Sequence, residues 1–344
     1  MINMKKLLPL SVAIAAISLS SPSAFAAEKL NVICSASIDW CQLMVNDFEK
    51  ETGINVKMAR KSSGETFAQL RAEKRNPKVD IWWGGTGDPH LQAAEEDLTQ
   101  KYQSPSLDQL QPWAVNQAKQ SDYRTVGVYA GGLGIGYNHD ILEKKGLPAP
   151  KGWQDLTKPI YKGEVQMANP NSSGTAYTTL ATIIQVFGEE AGFEYMKKLH
   201  LNINQYTKSG SAPVKSAARG ENTIGIVFMH DAVKQAVTGF PITTVAPVEG
   251  TGYEVGSMSI IKGARNLDSA KKWYEYALRA DTQTKAASVK AYQVPSNLKA
   301  TAPKEAPRLE DIKLIDYDFK TYGSSATRKR LLAKWDSDVK PIPR

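Results

Sequence analysis

The stretch "MANPNSSGTAYTTLATIIQVFG", residues 167–188, leads from an apolar strand into a helix. Ala176, Leu180, Ile183, Ile184 and Phe187 recur at helical spacing and mark one apolar face. Just before that face stand Ser172, Ser173, Gly174 and Thr175, small residues that bury almost nothing. A helix start leaves backbone N–H groups without intrahelical partners and carries about half a positive charge, so it can seat a phosphate or carboxylate. Glycine lets a ligand approach the backbone, and hydroxyls add donors. For any single junction, a serine capping its own helix is the simpler reading.

The same design recurs along the chain. "LNVIC" leads to "DWCQLMVNDFEKETG", with Trp40, Leu43, Met44 and Phe48 on one face and Gly53 as the stop. "INVKMA" leads to "SSGETFAQLRAEK", where Ser62 and Glu65 have capping-box spacing. "KVDIWWGG" leads to "TGDPHLQAAEED", in which Asp88-Pro89 reads as an N-cap and first helical position. "TIGIVFM" leads to "HDAVKQAVTG", with Val233, Ala236 and Val237 as its expected buried stripe, and "DSAKKWYEYALRA" supplies a further amphipathic helix marked by Ala270, Trp273, Tyr274, Ala277 and Leu278. Strands alternating with helices predict an α/β fold with open sheets, which bind ligands outside the carboxyl ends of their strands. The strand-to-helix junctions Ser35–Ser37, Ser62–Gly64, Gly84–Asp88, Asn171–Thr175 and His230–Asp231 therefore form one candidate site.

The first 26 residues have a basic start, an apolar run from Leu7 to Leu19 and a small-residue site, Ala24-Phe25-Ala26. That is the layout of a cleaved secretory signal peptide, and it predicts an exported, periplasmic protein. Cleavage removes Lys5 and Lys6 and no acid, leaving 41 basic against 35 acidic residues, a net charge of +6. Such a balance favours anionic solutes. No basic cluster is interleaved with aromatics, which argues against nucleic acid. A mature chain of about 318 residues exceeds one ordinary core, so two lobes are expected.

Cys34 and Cys41 are the whole cysteine complement. In an oxidising compartment they predict a disulfide, with free thiols or an incomplete metal site as the rival readings. The chain contains no G-x-S-x-G, H-E-x-x-H or Walker sequence, and its histidines, 90, 139, 200 and 230, lack metal-ligand spacing. Neither enzyme, resident metal nor cofactor is expected. An exported phosphatase or sugar-phosphate isomerase with His230 and Asp231 as acid and base is the reading from another class.

"YNHDILEKKGLPAPKGWQDL", followed by "YKGEVQMANP" and the Ser-Gly-Thr helix start, closely resembles the periplasmic solute-binding proteins of bacterial ABC importers, in the ferric-iron or Afu-type branch. "SSGET", "WWGGTGD" and "DSAKKWYEYAL" extend the likeness over nearly all of the mature chain. The resemblance implies a two-lobed (type II) clamshell, a monomer with a mixed sheet in each lobe and hinge strands between them. It implies one lobe from residues 27–128 plus 256–300 and another from 129–255 plus 301–344, crossing near Tyr129 and again near Tyr253–Ser257. The partner would be an inner-membrane permease with a separate ATPase.

Ferric-binding members resemble one another in carrying two adjacent tyrosines, and none of the 14 tyrosines here adjoins another. The likeness to hexose-phosphate members instead implies a phosphate seat at Ser37, Ser63, Gly64, Thr86, Gly87, Ser172, Ser173, Gly174 and Thr175. It implies that His230, Asp231 and Glu254 engage the sugar, hexose 6-phosphate leading. Ferric iron, a phosphonate or thiamine phosphate are the alternatives. Thiamine would ask for an aromatic sandwich, for which Trp40, Trp82 and Trp83 are the candidates, although consecutive strand residues face opposite ways.

Overall fold

A computed structural model describes residues 28–344, so the signal-peptide reading of residues 1–26 lies outside the described residues. Ten strands, β1 Lys29–Cys34, β2 Asn55–Arg60, β3 Ile81–Trp83, β4 Val126–Asn138, β5 Val165–Ala168, β6 Ile203–Thr207, β7 Ile224–Phe228, β8 Ile242–Val245, β9 Tyr253–Ile260 and β10 Val294–Pro295, alternate with helices. The hydrogen-bonded order is β2-β1-β3-β9-β4-β7-β5-β6, with β8 and β10 also on β4. β1 runs parallel to β2 and β3, and β5 parallel to β6 and β7, while β9 and β4 insert antiparallel between these sets. The parallel sets put their carboxyl ends, and the helix starts that follow, on a shared cleft.

Two separate cores flank the central strands. Leu30, Phe48, Trp83, Val128, Met258 and Trp273 belong to the first, and Leu133, Met167, Ile183, Phe228, Leu331 and Trp335 to the second. β4 contributes to both, since its first half pairs with β9 and β10 and its second half with β7 and β8. This is a two-lobed α/β clamshell with mixed strand directions, as expected.

Helix Ile38–Thr52 buries Trp40, Met44 and Phe48 and ends at Gly53, whose φ of 71° is the left-handed cap. Helix Leu267–Leu278 buries Ala270, Trp273, Tyr274, Ala277 and Leu278, the predicted face. Two local expectations fail. Helix Gly87–Glu95 has Thr86, not Asp88, at its N-cap position and places the Asp88 carboxyl inside its buried first turn. Helix Met229–Val237 buries Met229, Ala232 and Gln235 and leaves Val237 44% exposed. Its first turn points His230 into the cleft, which turns the 229/232/235 stripe to the sheet.

Cys34 ends β1 and Cys41 lies in the following helix; their disulfide spans the junction Ser35–Ser37 with a sequence separation of 7. Closing so short a loop restricts the unfolded chain by about 2.5 kcal/mol in the chain-entropy picture. Replacing both cysteines by alanine is expected to lower urea-unfolding stability by about that amount, with a change in midpoint and little change in slope.

Candidate functional site

The starts of the helices that follow β1, β2, β3, β5, β6 and β7 converge on one cavity of about 470 Å³, part of it open to solvent. From the first lobe come Ser37 at the start of Ile38–Thr52, Ser62 and Ser63 at the start of Ser63–Ala72, and Thr86 at the start of Gly87–Glu95. The second lobe brings Ser173, Gly174 and Thr175, and then His230 and Asp231. Glu254 arrives on β9.

Which hydroxyls are committed elsewhere decides what the site can do. Ser173 caps its own helix, accepting from the Ala176 N–H at 3.3 Å. Ser63 Oγ accepts from the Thr86 N–H at 3.2 Å. Ser35 Oγ accepts from the Trp82 indole at 2.9 Å. Ser37 Oγ and Thr86 Oγ1, by contrast, head helices without capping them and are buried with no partner. Buried hydroxyls left unpaired cost about 1–3 kcal/mol each, a deficit that a ligand oxygen removes.

Gly64, Gly87 and Ser172 do not line the cavity. They shape the seam around it instead. A Cβ at Gly64 would collide with the carbonyls of Asn171 and Ser172, and one at Gly87 with Gln117 and the Val255 carbonyl. Ser172 Oγ donates to the carbonyls of Asn169 and Lys208. The lobes stand shut: Glu65 N–H donates to Ser172 O at 3.3 Å, Ser62 Oγ to Lys208 O at 3.2 Å, and Lys234 Nζ pairs with Asp39 Oδ2 at 2.6 Å. Ser62 keeps its expected capping-box bond as well, its N–H donating to Glu65 Oε2.

His230, Asp231 and Glu254 form a second cluster. His230 Nε2 lies 3.7 Å from Asp231 Oδ2 and 3.8 Å from Glu254 Oε1, beyond hydrogen-bonding reach. Burial lowers the pKa of the imidazole, against the pull of Asp231, and keeps it neutral. Burial raises Glu254 well above the ordinary carboxylate range, with Asp231 and Asp88 adding to the shift. A neutral ring, a protonated acid and a carboxylate offer both donors and acceptors. The Phe228 ring stacks on His230 at 5.7 Å and supplies an apolar wall.

Several lining residues escape the sequence reading. Arg60, the last residue of β2, donates from Nε to Ala36 O at 3.2 Å and reaches Ser209 Oγ of the other lobe at 3.5 Å. It is the one cationic side chain lining the cavity among the described residues. Gly210 and Ser211 form a sixth junction in "SGSAP", where Ser-Gly-Ser before Ala-Pro carries the same signature. The polar, partly exposed β6 before it hides the strand. Tyr129 accepts the Gly85 N–H at 2.8 Å, and Gln293 lies next to the two-residue β10, too short for any pattern. Trp40 and Trp83 pack edge to face in the first core, and Trp82 stacks on His90 at 3.6 Å; none of the three lines the cavity.

A closed clamshell with free donors and acceptors on facing lobes is the architecture of a solute receptor. Residues 76–321 match the family described as bacterial extracellular solute-binding protein, and the chain belongs to that family, whose members serve ABC importers as periplasmic receptors. Among solved structures it is similar to the periplasmic binding protein AfuA from Actinobacillus pleuropneumoniae with exogenous fructose 6-phosphate bound, at 45% identity and a TM-score of 0.90, over 92% of this chain and 100% of that one. The periplasmic binding protein P5PA matches at 38% identity and a TM-score of 0.88, over 91% of this chain and 100% of that one. An uncharacterised protein of Haemophilus influenzae is 43% identical over 336 residues, 97% of each chain.

The imidazole of His230 is expected to titrate below its ordinary value of 6.5, followed through its ring carbon and nitrogen shifts. Since the charge on Asp231 holds that value up, Asp231→Asn is expected to move the midpoint lower still.

Proposed function

We propose that this protein is a periplasmic receptor that captures a phosphorylated sugar, hexose 6-phosphate first among the candidates, and hands it to an ABC permease. The observation that carries this reading is the pair of unpartnered buried hydroxyls, Ser37 Oγ and Thr86 Oγ1, at helix starts facing one cavity. Those helix ends, with Ser63, Gly174 and Thr175 around them and Arg60 beside them, suit a phosphate dianion. His230, Asp231 and Glu254 suit sugar hydroxyls, which both donate and accept. The likeness to AfuA, solved with fructose 6-phosphate, supports the same ligand class.

The lobes of this reading are residues 27–128 with 256–300 and residues 129–255 with 301–344; the two separate cores support such a division, with Tyr129 at its boundary packing in the first. Ferric iron is the weaker cargo. Tyr129 is the sole tyrosine lining the cavity among the described residues, and burial holds its phenol far from ionisation.

Calorimetry with fructose 6-phosphate, glucose 6-phosphate, free fructose and inorganic phosphate tests the reading. Sugar phosphates are expected to bind at least tenfold more tightly than either fragment; binding of none of the four by folded protein overturns it. Asp231→Asn is expected to weaken fructose 6-phosphate binding by about 10- to 150-fold, the worth of a hydrogen bond to a charged group, with little change in melting temperature. A Cβ at Gly174 would collide with Thr86 Oγ1 across the cleft. Gly174→Ala is therefore expected to weaken the same binding by about tenfold or more, while circular dichroism stays that of the wild type.

A further inference from the structure

Helices Gly87–Glu95 and Gly174–Phe187 start in opposite lobes and direct their N-termini at one cavity. Two helix starts in such proximity favour a negative charge, a pull towards ionisation that burial of the group between them opposes. A carboxyl stands between them: Asp88 Oδ2 accepts from Thr178 Oγ1 at 3.4 Å and from Tyr317 OH at 3.1 Å. Thr178 belongs to the facing helix and Tyr317 to the C-terminal segment, so groups of the second lobe hold a buried acid of the first. The other oxygen, Asp88 Oδ1, has no partner, and neither do Gln92 Oε1, Thr182 Oγ1 or Arg328 Nη1. A seam that shuts over four unpaired polar atoms regains hydration when it opens, so it has two competing arrangements.

We infer that Asp88 is the proton-linked closure site of the clamshell: the lobes shut over its neutral carboxyl, and its ionisation favours opening. The groups that face it are Tyr317 and Arg328 from the C-terminal segment, Tyr177 from the facing helix and Glu254 from β9. On its own helix His90 stays neutral, pushed down to about 3 by burial. In the shut form burial pushes Asp88 up from 3.8 to about 6, outweighing the Tyr317 hydrogen bond and the charge of Arg328. With the lobes apart the carboxyl is hydrated and ionises near its ordinary value. The shut form therefore binds the proton more tightly. Closure is fully favoured below pH 3.8 and is lost as pH rises through about 6, by about 100-fold at tenfold per unit. Glu254 acts in the same direction, and Asp88→Asn removes the first contribution alone.

Closure is read without any cargo, so the test is independent of the ligand class proposed above. Dyes on Lys50→Cys and Lys162→Cys, exposed residues of the two lobes, report the interlobe distance by energy transfer in ligand-free protein from pH 4 to 7.5. At pH 7.5 Asp88→Asn is expected to raise the closed-to-open ratio by up to about 100-fold over wild type, with the difference vanishing towards pH 4. Thr178→Val removes a donor to the carboxylate of the shut form and is expected to lower the closed-to-open ratio at pH 7.5 below that of the wild type, with little change at pH 4. Identical profiles for wild type and Asp88→Asn overturn the inference. So does an Asp88→Asn variant that is more open at every pH, or a Thr178→Val closed-to-open ratio at pH 7.5 that is no lower than the wild type's.

Discussion

Every residue of β4, from Val126 to Asn138, is buried, and both halves of the sheet hang on it. A strand of 13 residues gives up its first backbone groups to β9 and β10 and its last to β7 and β8, so neither lobe can drift from the other by more than this ladder permits. Glycines keep it thin where other elements press in. A Cβ at Gly131 would meet the His230 ring, and one at Gly134 the Met229 side chain. Through these contacts the strand that joins the lobes also backs the His230–Asp231–Glu254 cluster.

The cavity balances charges of different origin. Helix starts and Arg60 make its hydroxyl-rich part electropositive without a dense cluster of basic side chains. Burial meanwhile disfavours the charged forms of both His230 and Glu254, so the cluster beside that part offers donors as well as acceptors. Peptide dipoles cost no side-chain ordering when a ligand arrives, so a seat built from them is already organised.

Much of this was legible in the sequence. Alternating strands and helices announced an α/β fold, and the faces through Trp40, Met44 and Phe48 and through Ala270, Trp273 and Tyr274 came out as read. The junction 172–175 divided into separate jobs: Ser173 caps, Ser172 braces the seam, and Gly174 and Thr175 face the cavity. Which hydroxyl stays free depends on partners brought from elsewhere, such as Thr86 N–H at Ser63, and spacing does not encode them. Asp88 looked like a cap because Asp-Pro is a common helix opening, yet the chain starts that helix earlier at Thr86. Arg60 ends a strand with alternating exposure, where an arginine is unremarkable until the second lobe closes over it.

The C-terminal helix Ser325–Asp338 sends Leu331 and Trp335 into the second core, and the first core waits for Trp273 and Tyr276. A fragment that stops before Leu267 therefore lacks part of the first core, and one that stops before Ser325 lacks part of the second. Chain order thus leaves the second lobe without its full core until the final helix has been supplied, while the first lobe has all of its core residues about fifty residues earlier.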